Sequence, residues 1–124
     1  GVDHMHVHGL DGKFAQDDDE VIRSAHDCLT PLASASDTTD VVVPAFSSGQ
    51  WAGTLARTLD AVPSADLMFM CGGGILAHPM GPAAGVASVR QAWDAWQQQL
   101  DIGEAAATQP ELRAAIEKFG PRQA

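Results

Sequence analysis

Apolar residues fall into two kinds of block along this chain. Some form short continuous runs; others recur every three or four positions over longer stretches. The short blocks are DHMHV (residues 3–7), read as a short strand that could be buried, then DVVVPAF (40–46) and DLMFMC (66–71), which are continuous apolar runs. The second is β-branched and unbroken, as expected of a parallel strand covered on both faces. After each run the spacing becomes helical. A first helix is predicted over residues 18–32, with Val21, Ile22, Ala25, Cys28, Leu29 and Leu32 on one face. The acids Asp17 to Glu20 suit its N-terminal end, and Pro31 lies close to its stop. Trp51, Leu55 and Leu59 mark a second helix. A third is predicted over residues 83–100 with Val86, Val89, Trp93 and Trp96 inward. A last short helix over residues 110–119 begins with Pro110 in its first turn and stops at Gly120.

Strand, loop and helix in series, three times over, predict a parallel sheet. Either a barrel or an open doubly wound sheet satisfies that pattern. The 124 residues are one domain's worth, and about half of a typical β/α barrel of ~250 residues. A three-stranded parallel sheet leaves two unpaired edges, so the chain reads as part of a larger fold. It begins without Met, at what reads as the edge of a strand, and is expected to be a fragment.

Charge narrows the partners. With 7 Lys and Arg against 16 Asp and Glu, the formal charge of −9 disfavours nucleic acid and anionic membranes, which select basic surfaces. A phosphorylated ligand must then be held by local donors. Cys28 and Cys71 make no disulfide framework and are expected as buried thiols. No apolar run approaches the roughly 20 residues of a membrane span, and a cytoplasmic location is expected.

In a barrel the reactive groups sit where strands end and in the loops that follow. Here those places read HVHGLDGK, SSGQ and CGGGILAHP. The triple glycine Gly72-Gly73-Gly74 lets a ligand approach the backbone closely, and neighbouring N–H groups with the Ser47 hydroxyl suit phosphate. A tight turn that needs glycine is the structural alternative. His4, His6 and His8 alternate, so a strand would turn all of them to one face. A His-x-His pair at a strand end is also how amidohydrolases begin a zinc site, but only His26 and His78 follow. Lys13, one of two lysines, lies in a loop flanked by Gly9 and Gly12, which would let it move as a lid does. A lysine closing over a site stabilises developing negative charge; the alternative is a solvated loop lysine.

Taken together, the loops resemble the large subunit of Rubisco. GVDHMHVHGLDGKF is similar to that family's sixth barrel strand and mobile loop, VPAFSSGQW to the seventh strand and its Ser-Gly-Gly turn, and FMCGGGILAHPMG to the eighth strand with its triple glycine. Order and spacing agree over residues 1–120. The resemblance implies an α/β fold: the C-terminal portion of a (β/α)8 TIM barrel, strands 6–8 plus a C-terminal helix, lacking the earlier strands and the N-terminal domain. It implies that His6 and Ser47 contact one phosphate of the substrate. The backbones of Gly49, Gly72 and Gly73 hold the other, and Lys13 is catalytic. Mg²⁺ is expected in the parent protein on ligands outside this chain, with no metal ligand within it. The parent is expected to be a homodimer or higher assembly.

The motifs also depart from the carboxylase pattern. The mobile loop reads His8-Gly9-Leu10-Asp11-Gly12-Lys13, where carboxylases carry Gly-Thr-Val-Val-Gly-Lys. Ser48 stands where the family has glycine, and Gln50-Trp51 follow. These features resemble the form IV Rubisco-like branch. The implied parent enolises, isomerises or decarboxylates a phosphorylated ketose or sugar-acid phosphate through a metal-stabilised enolate. This chain alone is expected to be inactive. The alternatives are a genuine ribulose-bisphosphate carboxylase, an amidohydrolase-type zinc enzyme and an inactive phosphate-binding fragment.

Overall fold

The computed structural model of the chain describes residues 2–12, 16–31 and 41–121. Its elements run β1 (His4–His8), α1 (Asp18–Leu29), β2 (Val43–Ser47), α2 (Ala52–Ala61), β3 (Met68–Phe69), α3 (Gly73–Leu76), α4 (Pro82–Gln97), α5 (Ile102–Ala106) and α6 (Pro110–Phe119). The strands form one parallel sheet in the order β1-β2-β3. His6 lies beside Ala45 and His8 beside Ser47; Ala45 in turn pairs with Met68, and Phe46 with Phe69. The α/β architecture with a parallel sheet is as the sequence predicts.

Pro44 lies inside the central strand, where a missing N–H would normally cost a ladder bond. Here Val43 donates its N–H to Asp3 O of the β1 segment (2.9 Å), whereas Phe46 O accepts from Met70 N on the β3 side (2.8 Å). Alternation along the strand turns Pro44 towards β3, one residue ahead of the first β2–β3 pair. No bond is lost there.

Alternation also divides the side chains between two faces. Val7 and Phe46 join Leu10, Val21, Ala25 and Val62 in one core cluster, with Phe69 packed against it. A second cluster joins α2, α4, α5 and α6 through Ala52, Leu55, Leu59, Ala92, Ala106, Leu112 and Ala115. Leu67 and Phe69 touch both. The helices thus cover one face of the sheet. The other carries His4, His6, His8, Ala45, Ser47 and Met68, with Met68 41% exposed.

Several boundaries differ from expectation for local reasons. Helix α1 ends at Leu29, short of residue 32, because Thr30 precedes Pro31 and adopts an extended conformation (ψ 122°). Leu32 lies outside the described residues. The Asp17 carboxylate caps the other end by accepting from Asp19 N at 3.0 Å. Strand β2 begins at Val43 since Val42 donates its N–H to Cys28 O of α1. Strand β3 is two residues, not six, having one neighbour and a chain that turns at once into α3. Helix α4 closes before Leu100 in a Schellman arrangement. Gln99 takes φ 57°, Gln99 N bonds Trp96 O and Leu100 N bonds Ala95 O, both at 3.0 Å.

The buried stripe of α4 is Gly85, Ser88, Ala92 and Ala95, with Val89, Trp93 and Trp96 at its margins. Val86, expected inward, is 56% exposed. Small residues let the neighbouring backbone approach: a Cβ on Gly85 would strike the Ile75 main chain. Helices α3 and α5 are too short to show periodicity in sequence. Cys28 and Cys71 are free and partly buried rather than fully enclosed.

Gln91 of α4 fixes α6 by two bonds, donating to Glu111 Oε2 (2.8 Å) and accepting from Leu112 N (3.0 Å). The bond from Gln91, foremost, holds the Glu111 carboxyl below its ordinary value of 4.5. A depressed carboxylate contributes stability that is present above its unfolded pKa and lost as pH falls through the lower folded value. Two outcomes are expected. Stability falls more steeply below pH 4.5 in the parent sequence than in Glu111→Gln, measured by urea titration at stepped pH. Phe46→Ala, at a side chain 0% exposed, costs ~3–5 kcal/mol, whereas Val86→Ala stays within about 0.5 kcal/mol.

Candidate functional site

Parallel strands deliver their carboxyl ends to one edge. Here that edge gathers Gly9–Gly12 after β1, Ser48–Gln50 after β2, and Met70–Gly74 after β3. Gln50 joins them and is 1% exposed. Its Nε2 donates to Leu10 O of the first loop (3.1 Å) and to Ser48 O of its own turn (2.8 Å). Its main-chain oxygen accepts from Cys71 Sγ of the third loop at 2.9 Å. Its Oε1 is buried without a donor among the described residues.

The glycines divide into two groups. Gly9 is buried, and a Cβ there would overlap the Gln50 amide and press on Ser47 O. A Cβ on Gly74 would strike Gln50 O and the Trp51 backbone. These two glycines are packing contacts. Gly72 and Gly73 have nothing within 4 Å of a Cβ position and are exposed. They open α3, where backbone N–H groups lack partners within the helix. Behind them burial raises the pKa of the Cys71 thiol, more than the nearby Ile75 and Gly74 amides lower it. The open backbone is therefore Gly72-Gly73, not the whole triple.

The turn after β2 is left-handed twice, at Ser48 (φ 73°) and Gly49 (φ 72°). Glycine takes this conformation freely; serine pays for it. Ser47, half-buried at the end of β2, sits beside His8. His6 is exposed on the helix-free face, two residues before that edge. Ser47, Gly49, Gly72 and Gly73 thus share the edge, with His6 on the adjoining face. Lys13 lies outside the described residues.

The stem leading to Lys13 is described, and it is anchored. Asp11 takes φ 51°, donates its N–H to Asp18 Oδ1 (3.0 Å) and pairs with Arg57 Nη1 of α2. Arg57 Nη2 also meets Asp18 Oδ2 at 3.0 Å. Gly9, expected as a hinge, is instead wedged against Gln50. A cleft of about 530 Å³ lies alongside, lined by Asp11, Gly49, Trp51, Arg57, Phe119 and Pro121.

His78 is a structural residue. It is 4% exposed; Nε2 bonds Glu111 O (3.0 Å) and Nδ1 accepts from Met80 N (3.1 Å), which assigns the Nε2–H tautomer. Among the described residues no three His, Cys, Asp or Glu come together as a metal site. Sequence reasoning missed the joining role of Gln50 and the Arg57 clamp, since neither belongs to a periodic or motif pattern.

Comparison with known proteins places the chain in a family. Residues 1–119 match the family described as ribulose bisphosphate carboxylase large chain, catalytic domain. A ribulose bisphosphate carboxylase-like protein of Bordetella bronchiseptica is 47% identical over 98% of this chain and 29% of its own length. A 3-oxo-isoapionate-4-phosphate decarboxylase of Rhizobium rhizogenes is 40% identical over 96% of this chain and 28% of its own. The crystal structure of a Rubisco-like protein from Burkholderia fungorum superposes with a TM-score of 0.91 at 66% identity, covering 96% of this chain and 29% of that one. The chain spans less than a third of the length of each of these relatives.

The division of the glycines gives a test of folding alone. Gly9→Ala and Gly74→Ala, which overlap Gln50, are expected to cost at least ~1–3 kcal/mol. Gly72→Ala and Gly73→Ala should leave the melting temperature within a degree or two, about 0.5 kcal/mol, by calorimetry.

Proposed function

The chain belongs to the ribulose bisphosphate carboxylase large-chain family, among its Rubisco-like members, and from that premise we propose that it forms the phosphate-holding side of a Rubisco-like enzyme acting on a phosphorylated sugar acid or ketose. Its strands are read as strands 6–8 of a (β/α)8 barrel. The helix-free face with His4, His6 and Met68 then becomes barrel interior.

The observation that carries the reading is the adjacency of the Ser47–Gly49 turn, exposed at Gly49, and the open Gly72-Gly73 turn at one edge of a parallel sheet. Amides at such an edge bind phosphate without net positive charge, which suits a chain of formal charge −9. In this reading Gly49, Gly72 and Gly73 take one phosphate through their N–H groups. Ser47 donates its hydroxyl to a second anionic or hydroxyl group, with His6 beside it. Lys13 neutralises the charge that develops at the reacting carbon.

The decarboxylase relative favours one reaction type. Loss of CO₂ from a 3-oxo acid leaves its bonding pair conjugated with the neighbouring carbonyl, which is an enolate. Decarboxylation and enolisation therefore ask the same help of Lys13: a cation beside oxygen as charge moves onto it. The parent is proposed as a decarboxylase of a 3-oxo sugar-acid phosphate, working in the cytoplasm as a homodimer or larger assembly.

The Mg²⁺ expected of the parent does not fit the described residues of this chain. Asp11 and Asp18 are paired with Arg57, and no three ligands converge among the described residues. The metal's ligands would come from elsewhere in the parent, and this chain alone would not turn over substrate.

Titration of the intact protein with inorganic phosphate tests the cradle. Gly72→Ala or Gly73→Ala should weaken binding about tenfold or more, by blocking close approach, with melting unchanged. Unchanged affinity in both would sink the assignment. Lys13→Met should retain phosphate binding and lose at least ~10²-fold in kcat on a 3-oxo sugar-acid phosphate.

A further inference from the structure

We infer that Gln50 is a positioning residue that holds the stem of the Lys13 loop and the Gly72-Gly73 turn in fixed relation to the Ser47–Gly49 turn. Three observations carry this. The side chain is 1% exposed and spends both amide hydrogens on main-chain oxygens of two loops, Leu10 O and Ser48 O. Its own main-chain oxygen takes the Cys71 thiol of the third. Glycine lies against it on both sides, at Gly9 and Gly74, where any Cβ would overlap its atoms.

The donor count shows what the side chain is for. Oε1 is buried and has no donor among the described residues, so the residue is not held by its carbonyl. It is held by two N–H bonds, to Leu10 O and Ser48 O. A hydrophobic residue of equal size fills the space and supplies neither bond. Leu10 is 2% exposed, and the next residues are Asp11, clamped by Arg57, then Gly12 and Lys13. Gln50 therefore fixes the stem of the first loop through Leu10, and the glycine turn through Cys71, without itself needing to touch substrate.

The loop part of this inference stands on the geometry alone; the coupling to phosphate rests on the function proposed above. Limited trypsin digestion of the intact protein separates the two. Cleavage after Lys13 reports opening of the first loop, and cleavage after Arg90, in the middle of α4, reports global unfolding. Gln50→Met should raise the Lys13 rate about tenfold relative to the Arg90 rate, because the population of open loop grows when its anchoring bonds are lost. Inorganic phosphate should slow Lys13 cleavage in the parent protein and do so at least severalfold less in the variant. If Gln50→Met does not accumulate as folded protein, Gln50→Glu, equal in size and lacking both N–H donors, is read by the same ratio. An unchanged ratio, or equal acceleration at both bonds, overturns the inference. If phosphate protects neither protein, the proposed phosphate site fails, while the ratio still decides the anchoring role of Gln50.

Discussion

Parallel pairing is the constraint on which the rest depends. A strand parallel to its neighbour can be reached only by a chain that crosses back over the sheet, and the crossover occupies one face. In β1-β2-β3 the crossing helices bury Val7, Phe46 and Phe69 on that face. The same geometry sends each carboxyl end to one edge, so residues far apart in sequence become neighbours. Leu10, Ser48 and Cys71 are all bonded to Gln50 for this reason. The pairing also sets Pro44 so that its missing N–H falls ahead of the β2–β3 ladder.

At that edge, packing and chemistry make opposite demands on similar residues. Gly74 and Gly9 are glycines because Gln50 leaves no room for a side chain. Gly72 and Gly73 face open space, so packing does not explain them. The left-handed Ser48 and Asp11 are a local cost in the same small region. Such conformations persist where surrounding bonds determine them. Ser48 O is held by Gln50, and Asp11 by Arg57 and Asp18.

Much of the fold was legible because periodicity reports burial. The strand-helix order follows from apolar spacing, and α6 occupies residues 110–119 as Pro110 and Gly120 indicate. What was not legible depends on contacts distant in sequence. Val86 looks like an inward residue, but α4 packs through Gly85, Ser88, Ala92 and Ala95, whose smallness allows close approach without any hydrophobic signal. Two glycines of the triple, Gly72 and Gly73, carry a different meaning from Gly74, and the sequence alone cannot divide them. Gln50 reads as an ordinary polar turn residue until Leu10, from 40 positions away, is placed beside it.

The anchoring also revises how the first loop can work. Two glycines around Leu10 and Asp11 suggest a flexible arm, yet Gly9 is wedged against Gln50 and Asp11 is clamped from α1 and α2. The anchored stem stops at Asp11, with Gly12 alone between it and Lys13. The described part of that loop is therefore fixed at both Gly9 and Asp11 rather than free to act as a hinge. The acid at position 11, which departs from the carboxylase pattern, thereby acquires a physical role. Its pairing with Arg57, and its N–H bond to Asp18, tie the loop after β1 to α1 and α2.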